Sequence, residues 1–426
     1  MAPTWIEGAT GYHLCALGAA AGGGFATLTG WLDHVAGLGA GFVLLTPVFH
    51  SVSHGYDTID PFRIDPRLGD GAAFDRFVHA AGERGLRVVL DGVFHHVSRR
   101  FPAFVDVVER REASAHLGWF RRLAFDGGEP DGVRVGCFEG HRDLVALDHR
   151  NPQVLDWAVD VALHWLDRGV AGWRLDVAYA VLPTFWRAFA ERVRARHPDA
   201  LLFGEVIHGD YAGFVESSGL DSVTQYELHK AIWSSLHDAN LFELSWCLDR
   251  HRAMLDTFTP ITFAGNHDVT RLTTAVGDRS RIGHAVVALL TLPGIPLVYY
   301  GDELGAEGVK EHRAGGDDAI RPSLDVLPDA VDRPAAELLD LHRRLIELRR
   351  ARPWLTRADV MVEHVANRSI GWVCTERGGA GRALAVTLDI DTRPVAALRP
   401  YWPLVLGDDA GGGMVPAGGW VVRERP

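Results

Sequence analysis

The chain has 426 residues, 43 basic and 55 acidic, for a formal net charge of −12; at about 150 residues per domain it is long enough for two or three domains. That acidity excludes a protein that tracks nucleic-acid phosphates or docks by charge on an anionic membrane. With 47% hydrophobic and 23% charged residues the composition is that of a globular protein rather than a disordered one.

Residues 1–11 carry neither a basic n-region nor an apolar h-region, and no run of about 18 apolar residues is free of charge, so neither a secretory signal nor a membrane span is expected. Cys15, Cys137, Cys247 and Cys374 lie far apart with no metal-binding spacing; they read as buried free thiols of a reducing, cytoplasmic compartment. Lys230 and Lys310 are the only lysines, a trait of genome composition rather than of chemistry.

In chain order, the first apolar runs cover residues 11–17 and 42–49, and between them Leu28, Trp31, Leu32, Val35 and Leu38 recur at helical spacing. A stripe of Phe74, Phe77, Val78 and Ala81 precedes the third run, 87–94. The next interval reaches residue 171, too long for one helix. It predicts an inserted domain over 98–147, where Trp119, Phe120, Phe125 and Phe138 mix with Gly, Asp and Arg. Leu155, Ala158, Val159, Ala162 and Leu166 mark another helix, followed by runs at 171–178, 200–206, 222–228, 260–267 and 296–303. Eight runs alternating with helices predict parallel βα units, and eight is the number that closes a barrel. One more amphipathic helix is predicted over 333–350. Beyond it, β-rich segments 360–373 and 383–388, with glycines 411–413 and 418–419 as turns, predict a small all-β domain from residue 357. The expected architecture is an α/β fold with a (β/α)8 barrel over 1–97 and 148–356, an insertion after strand three, and a C-terminal domain over 357–426.

In such a barrel the chemistry sits at the C-terminal ends of the strands, and there the unusual polar residues fall. The third run ends in Asp91-Gly-Val-Phe-His95-His96, the fourth carries Gly172-Trp-Arg174-Leu-Asp176, the fifth ends in Phe203-Gly-Glu205, and the seventh in Asn266-His267-Asp268. Strand side chains alternate with period two, so Arg174 and Asp176 project to the same side. An Arg beside a carboxylate keeps it ionised, as a nucleophile requires. Glu205 on the neighbouring strand is then the candidate for a carboxyl of raised pKa serving as acid and base. Singly, an Asp at a strand end is usually a helix cap, an Arg-x-Asp pair a structural ion pair, and His267 a satisfied core histidine. Four such signals at four strand ends in barrel register are not explained that way.

These four segments, in this order, resemble the four sequence regions of the α-amylase superfamily (glycoside hydrolase family 13). Three further stretches agree: residues 54–67, containing His54-Gly-Tyr56-Asp57; Leu144-Val-Ala-Leu-Asp148-His-Arg-Asn151-Pro152; and Val298-Tyr-Tyr-Gly301-Asp302-Glu303. Within the family, Gln225-Tyr226-Glu227-Leu228 and Asn151-Pro152 look most like the neopullulanase and cyclomaltodextrinase branch. That branch usually carries an N-terminal β-domain, for which no room is expected before a first barrel strand near residue 11. The resemblance implies an inserted B domain over 98–147 and a C-terminal antiparallel β-sandwich. It implies Asp176 as nucleophile, Glu205 as general acid and base, Asp268 as transition-state stabiliser, and Arg174 as the group holding Asp176 charged, braced by Asp91. His96 and His267 would hydrogen-bond the sugar, with Tyr56 stacking beneath it and Asp57 nearby.

The implied activity is retaining hydrolysis of α-glucosidic bonds in malto-oligosaccharides or cyclic α-glucans. A transglycosylase or sugar isomerase of the same family is the alternative, and a non-catalytic amylase-like protein a remote one. The expected partner is an α-gluco-oligosaccharide, with no nucleic acid and no membrane; a homodimer stays open. Trp119, Phe120 and Phe138 are expected either to wall a pocket for short substrates or to form the B-domain core. Two positions depart from the family: His95 stands where region one usually has Asn, and Ile207 where region three usually has an aromatic. No cofactor is expected. Calcium is not expected between barrel and B domain, because His95 and Ala146 replace two oxygen ligands.

Overall fold

A computed structural model describes residues 2–426 apart from 128, 130, 314, 328–331 and 380. Eight parallel strands form one sheet: β1 (Gly11–Leu14), β2 (Phe42–Leu45), β3 (Arg87–Gly92), β4 (Gly172–Leu175), β5 (Leu201–Gly204), β6 (Ser222–Val223), β7 (Ile261–Phe263) and β8 (Ile295–Tyr299). Their order is β6-β5-β4-β3-β2-β1-β8-β7, and a parallel bridge from Thr224 to Ile261 joins the two ends, giving a nearly closed barrel. By packing, the chain divides into two compact units. One is built chiefly from Leu14–Asp33 and Val43–Val223, the other from Thr4–His13, His34–Phe42 and Thr224–Pro426.

In the first unit, β2 and β5 are buried along their whole length, which is why they read as unbroken apolar runs. Gly172 opens β4 because a Cβ there would collide with the Leu201 carbonyl of the adjoining strand. Helix α1 (Gly24–Leu38), of which residues 24–33 belong to this unit and 34–38 to the other, buries Leu28, Leu32, Val35 and Leu38. Asp70 caps α2 (Gly71–Glu83) by accepting the Ala73 N–H, and Phe74, Phe77 and Ala81 face inward. Asn151 caps α3 (Pro152–Leu166) at Gln153, with Pro152 in the first turn, where its missing N–H costs nothing. Between β3 and β4 lies a three-stranded antiparallel sheet, His96–Ser98 beside His141–Ala146 beside Cys137–Phe138, with a helix over Pro102–Arg110.

In the second unit, helix α4 (Tyr226–His237) follows β6, α5 (Phe242–Met254) precedes β7, and α6 (Arg333–Arg350) follows β8. A five-stranded antiparallel sheet then forms from Asp359–Val365, Ser369–Thr375, Ala383–Asp389, Trp420–Glu424 and Leu404–Gly407. A second, two-stranded sheet pairs Val395–Ala396 with Met414–Val415, and Ala397, Val415 and Val421 pack between the layers.

The apolar runs overshoot the strands. β4 ends at Leu175, β5 at Gly204 and β7 at Phe263, so the polar residues of interest stand just beyond the ladder, where the backbone turns. The sixth run is the largest discrepancy. Tyr226, Glu227 and Leu228 open a helix, because Leu228, Ala231, Ile232 and Ser235 form its buried face. Cys15, Cys247 and Cys374 are buried as expected, whereas Cys137, on a two-residue edge strand, is only partly covered. Among the described residues no helix is long and apolar enough to cross a membrane.

Candidate active site

In the first unit, strand register sets Asp91 beside Arg174 and Arg174 beside Phe203. Asp176 and Glu205 each lie two residues past those positions, on the same side by alternation. The result is a single guanidinium among three carboxylates. Arg174 Nη1 lies 2.6 Å from Asp91 Oδ2 and 3.1 Å from Asp176 Oδ1, and its Nη2 lies 2.7 Å from Glu205 Oε1. All four side chains are buried. Burial alone would lower the Arg174 value, but the charges of Asp91, Glu205 and Asp176 and the Tyr56 phenol hold it well above the ordinary arginine range. The sequence assigned Arg174 to Asp176; the structure shares it with Glu205 at the shorter distance.

Val177, next to the candidate nucleophile, has φ +50° and ψ +35°, a left-handed conformation rare for a β-branched residue. That turn aims its N–H at Glu205 Oε2, 3.0 Å away. Sequence reasoning did not find Val177, because nothing in a valine signals a left-handed turn.

Tyr56 is tied to the same group, its hydroxyl donating to Asp91 Oδ2 at 3.0 Å. Asp57 is different: it is buried and accepts hydrogen bonds from Ser53 N at 3.1 Å and His54 N at 3.3 Å, which bend its own loop. Burial raises its value, but the Ser53 hydroxyl, the charge of His54 and the Ser53 N–H outweigh that and leave the carboxyl below the usual range.

His96 Nε2 faces the Tyr56 carbonyl at 3.1 Å, and its Nδ1 lies 3.1 Å from Nδ1 of His95. A carbonyl only accepts, so His96 carries its proton on Nε2 and His95 donates from Nδ1. Burial lowers His95 to about 3 and His96 to about 4, with His149, stacked on His95 at 5.9 Å, at about 4. All three are neutral rings at neutral pH. Phe138 lies flat against His96 at 5.0 Å. Phe120 is buried against Phe104 in the segment between β3 and β4, and Trp119 packs near Phe101 and Trp157. Of the three aromatics, Phe138 alone contacts a residue of this cluster, and the other two belong to packing.

In the second unit, His267 is buried, with its Nε2 3.0 Å from Asp268 Oδ2 and its ring edge-on to His13 at 5.0 Å. Asp268 is about one-third exposed, the most accessible of the candidate carboxylates. Its backbone and its carboxylate are both held by neighbours. Asn266 Oδ1 accepts its N–H at 2.9 Å, Lys310 Nζ donates to its carbonyl at 2.8 Å, and Arg321 Nη2 donates to Oδ1 at 2.8 Å. Arg321 Nε also reaches the His267 carbonyl at 2.8 Å. Arg321 and Lys310 were missed from sequence, since they lie in a loop without periodicity more than 40 residues further on. Among the described residues no group of three His, Cys, Asp or Glu is arranged to hold a metal ion.

The family description "Alpha amylase, catalytic domain" matches residues 11–134 and 137–333. A cyclomaltodextrinase from Bacillus sp is 34% identical over 331 residues, covering 75% of this chain and 57% of that one. Neopullulanase 2 from Thermoactinomyces vulgaris is 32% identical over 342 residues, covering 78% and 57%. The chain thus spans a little over half the length of these curated relatives. Among solved structures, the cyclic alpha-maltosyl-(1→6)-maltose hydrolase of Arthrobacter globiformis superposes over 100% of both chains, with a TM-score of 0.84 and 26% identity. With most of its length matched by the family description, the chain belongs to the α-amylase family.

Proposed function

We propose that this protein is a retaining α-glycosidase that cleaves α-glucosidic bonds of malto-oligosaccharides or cyclic α-glucans. The observation that carries the reading is the one buried guanidinium within 3.1 Å of both Asp176 and Glu205. A retaining enzyme needs its two carboxyls only about 5–5.5 Å apart, one to attack and one to protonate, and one shared arginine suits that spacing. Asp176 attacks the anomeric carbon while Glu205 gives its proton to the departing glycosidic oxygen, leaving a glucosyl ester on Asp176. Glu205 then takes a proton from the entering water, whose oxygen replaces the carboxylate at the anomeric carbon. Two inversions give net retention. Asp268, fixed by Arg321 and Lys310, binds sugar hydroxyls and offsets the oxocarbenium-like charge. His96 and His267 serve as hydrogen-bonding rings, Tyr56 as the platform, and Phe138 as a wall favouring short substrates over starch. The buried Cys247 and Cys374 thiols suit a reducing, cytoplasmic setting.

The test is a chromatographic panel of maltose, maltotriose, isomaltose, trehalose, sucrose, cyclodextrins, pullulan and soluble starch, with NMR of the first product formed. Short malto-oligosaccharides or cyclodextrins are expected to react fastest and to release the α-anomer first. Initial release of the β-anomer overturns retention. Isomerised or transferred products without net hydrolysis point to the family's other chemistries.

Calcium at the junction of barrel and inserted domain does not fit the residues present. His95 is a neutral imidazole whose Nδ1 serves His96, and Ala146 is a buried strand residue without a side-chain oxygen. A hard cation seeking six to eight oxygens finds no side-chain ligand at either position. Dialysis against excess EDTA is therefore expected to leave activity and Tm unchanged. Loss that added Ca²⁺ restores shows the opposite.

A further inference from the structure

The hairpin that joins Cys137–Phe138 to His141–Ala146 turns through two residues, Glu139 and Gly140, with φ +46° and +86°. Positive φ at both central positions suits a two-residue hairpin, and the residues that favour it are Asn-Gly and Asp-Gly rather than a glutamate. A side chain held against its backbone preference points to its partner. Glu139 Oε1 accepts the hydroxyl hydrogen of Tyr179 at 3.0 Å. Tyr179 stands in the short helical turn Ala178–Ala180, just past Asp176 and the left-handed Val177, and its own N–H faces the Glu205 carbonyl at 3.4 Å. Its phenol is half-buried. Burial, the Glu139 bond and the charges of Glu139, Glu205 and Asp176 push it up, so at neutral pH it stays a donor. At the same tip, Phe138 lies flat on His96. Two adjacent residues of one hairpin thus touch the segment after β3 and the loop after β4, all within the first unit.

Glu205 is the group that protonates the departing oxygen, so a tyrosine seated against its backbone marks the side on which the departing part of the substrate lies. We propose that Glu139 and Tyr179 form a strap across that side and set which chain lengths the site accepts. A short oligosaccharide fits beneath the closed strap. A polymer that continues past the cleaved bond meets it, and binds only the fraction of molecules in which the strap has parted. A ligand that needs a minor conformer has its apparent affinity reduced by that conformer's population. A single hydrogen bond at an exposed carboxylate is weak enough to open, and the left-handed backbone at Glu139 favours release further. The proposal rests on the α-glycosidase reading above, and adds to the Phe138 wall a part that can be unfastened.

The experiment compares soluble starch with maltotriose as substrates of the full-length protein and its variants. Tyr179→Phe keeps the ring and removes only the hydroxyl; Glu139→Ala removes the acceptor. Each is expected to raise kcat/KM for starch about three- to tenfold, the effect of one hydrogen bond, and to leave maltotriose unchanged. The double variant should gain no more than either single one, since both changes cut the same bond. Glu139→Gln keeps an acceptor oxygen and should behave as wild type, which separates the bond from the charge. Amide hydrogen exchange over residues 138–141 should quicken in Tyr179→Phe without any substrate present. Unchanged exchange overturns the proposal, as do an unchanged ratio of starch to maltotriose, an equal change on both substrates, additive gains in the double variant, or a Glu139→Gln variant that matches Glu139→Ala. A wild-type protein inert toward both substrates overturns the α-glycosidase reading instead, and the exchange measurement then still decides whether the strap exists.

Discussion

Asp176→Asn is expected to reduce turnover of an unactivated α-glucoside by about 10⁴-fold or more, and Glu205→Gln by about 10²–10⁴-fold. The two losses differ in kind. Asp176→Asn removes the anionic oxygen that forms the glucosyl ester, so no leaving group can compensate. Glu205→Gln removes only the proton, so a 2,4-dinitrophenyl glucoside, whose leaving group needs none, should recover much of the first step. Each amide keeps an oxygen toward Arg174, which lies 3.1 Å from Asp176 and 2.7 Å from Glu205 in the unaltered protein, so the fold should persist and circular dichroism should match wild type. Removing Arg174 itself is another matter. It would strand three buried carboxylates, and breaking such a buried cluster costs about 3–5 kcal/mol. Single-turnover kinetics with both substrates checks the assignment. Equal rescue of the two variants by the activated substrate would sink the division of roles.

Mild acid is expected to destabilise the protein steeply between pH 6.5 and pH 4. Burial depresses His95 to about 3 and His96, His149, His229 and His251 to about 4. These folded values lie below the ordinary 6.5, so as pH falls the unfolded chain takes up protons first. The stability that neutral burial confers is present above 6.5 and lost as pH drops toward 4. Each histidine contributes about 1.4 kcal/mol per pH unit in that window. Two carboxyls work the other way. Burial raises Asp302 to about 7, against the pull of Arg271 3.2 Å away, and Asp389 to about 6, so their contributions are complete below the ordinary carboxylate value and lost as pH rises through 6 to 7. Two carboxyls against five histidines leave acid the stronger denaturant. Urea midpoints measured from pH 7.5 to pH 4.5 test this, and His149→Gln should flatten the slope. A midpoint constant from pH 7 to pH 5 would contradict it.

Much of this was legible along the chain because the signals are local. Period-two alternation puts Arg174 and Asp176 on one side whatever their neighbours are. The 3.6-residue stripe of Leu28, Leu32, Val35 and Leu38 names a buried helix face, and apolar runs ending in Asp, Glu or His mark where strands stop in a barrel whose chemistry sits at one rim. The sixth run misled for the same reason, since Tyr226 to Leu228 are apolar enough for a strand and only their packing makes them helical. Tertiary structure decided the rest. That Arg174 serves Glu205 as closely as Asp176 follows from the register of β4 against β5, set by packing around Gly172. That Val177 turns left-handed to meet Glu205 is imposed by the loop's surroundings against the residue's own preference. Arg321 and Lys310 clamp Asp268 from a loop of no regular period, and Glu139 reaches Tyr179 from a hairpin 40 residues earlier in the chain. Side and period are properties of neighbouring residues; partnership across tens of residues exists only once the chain has packed.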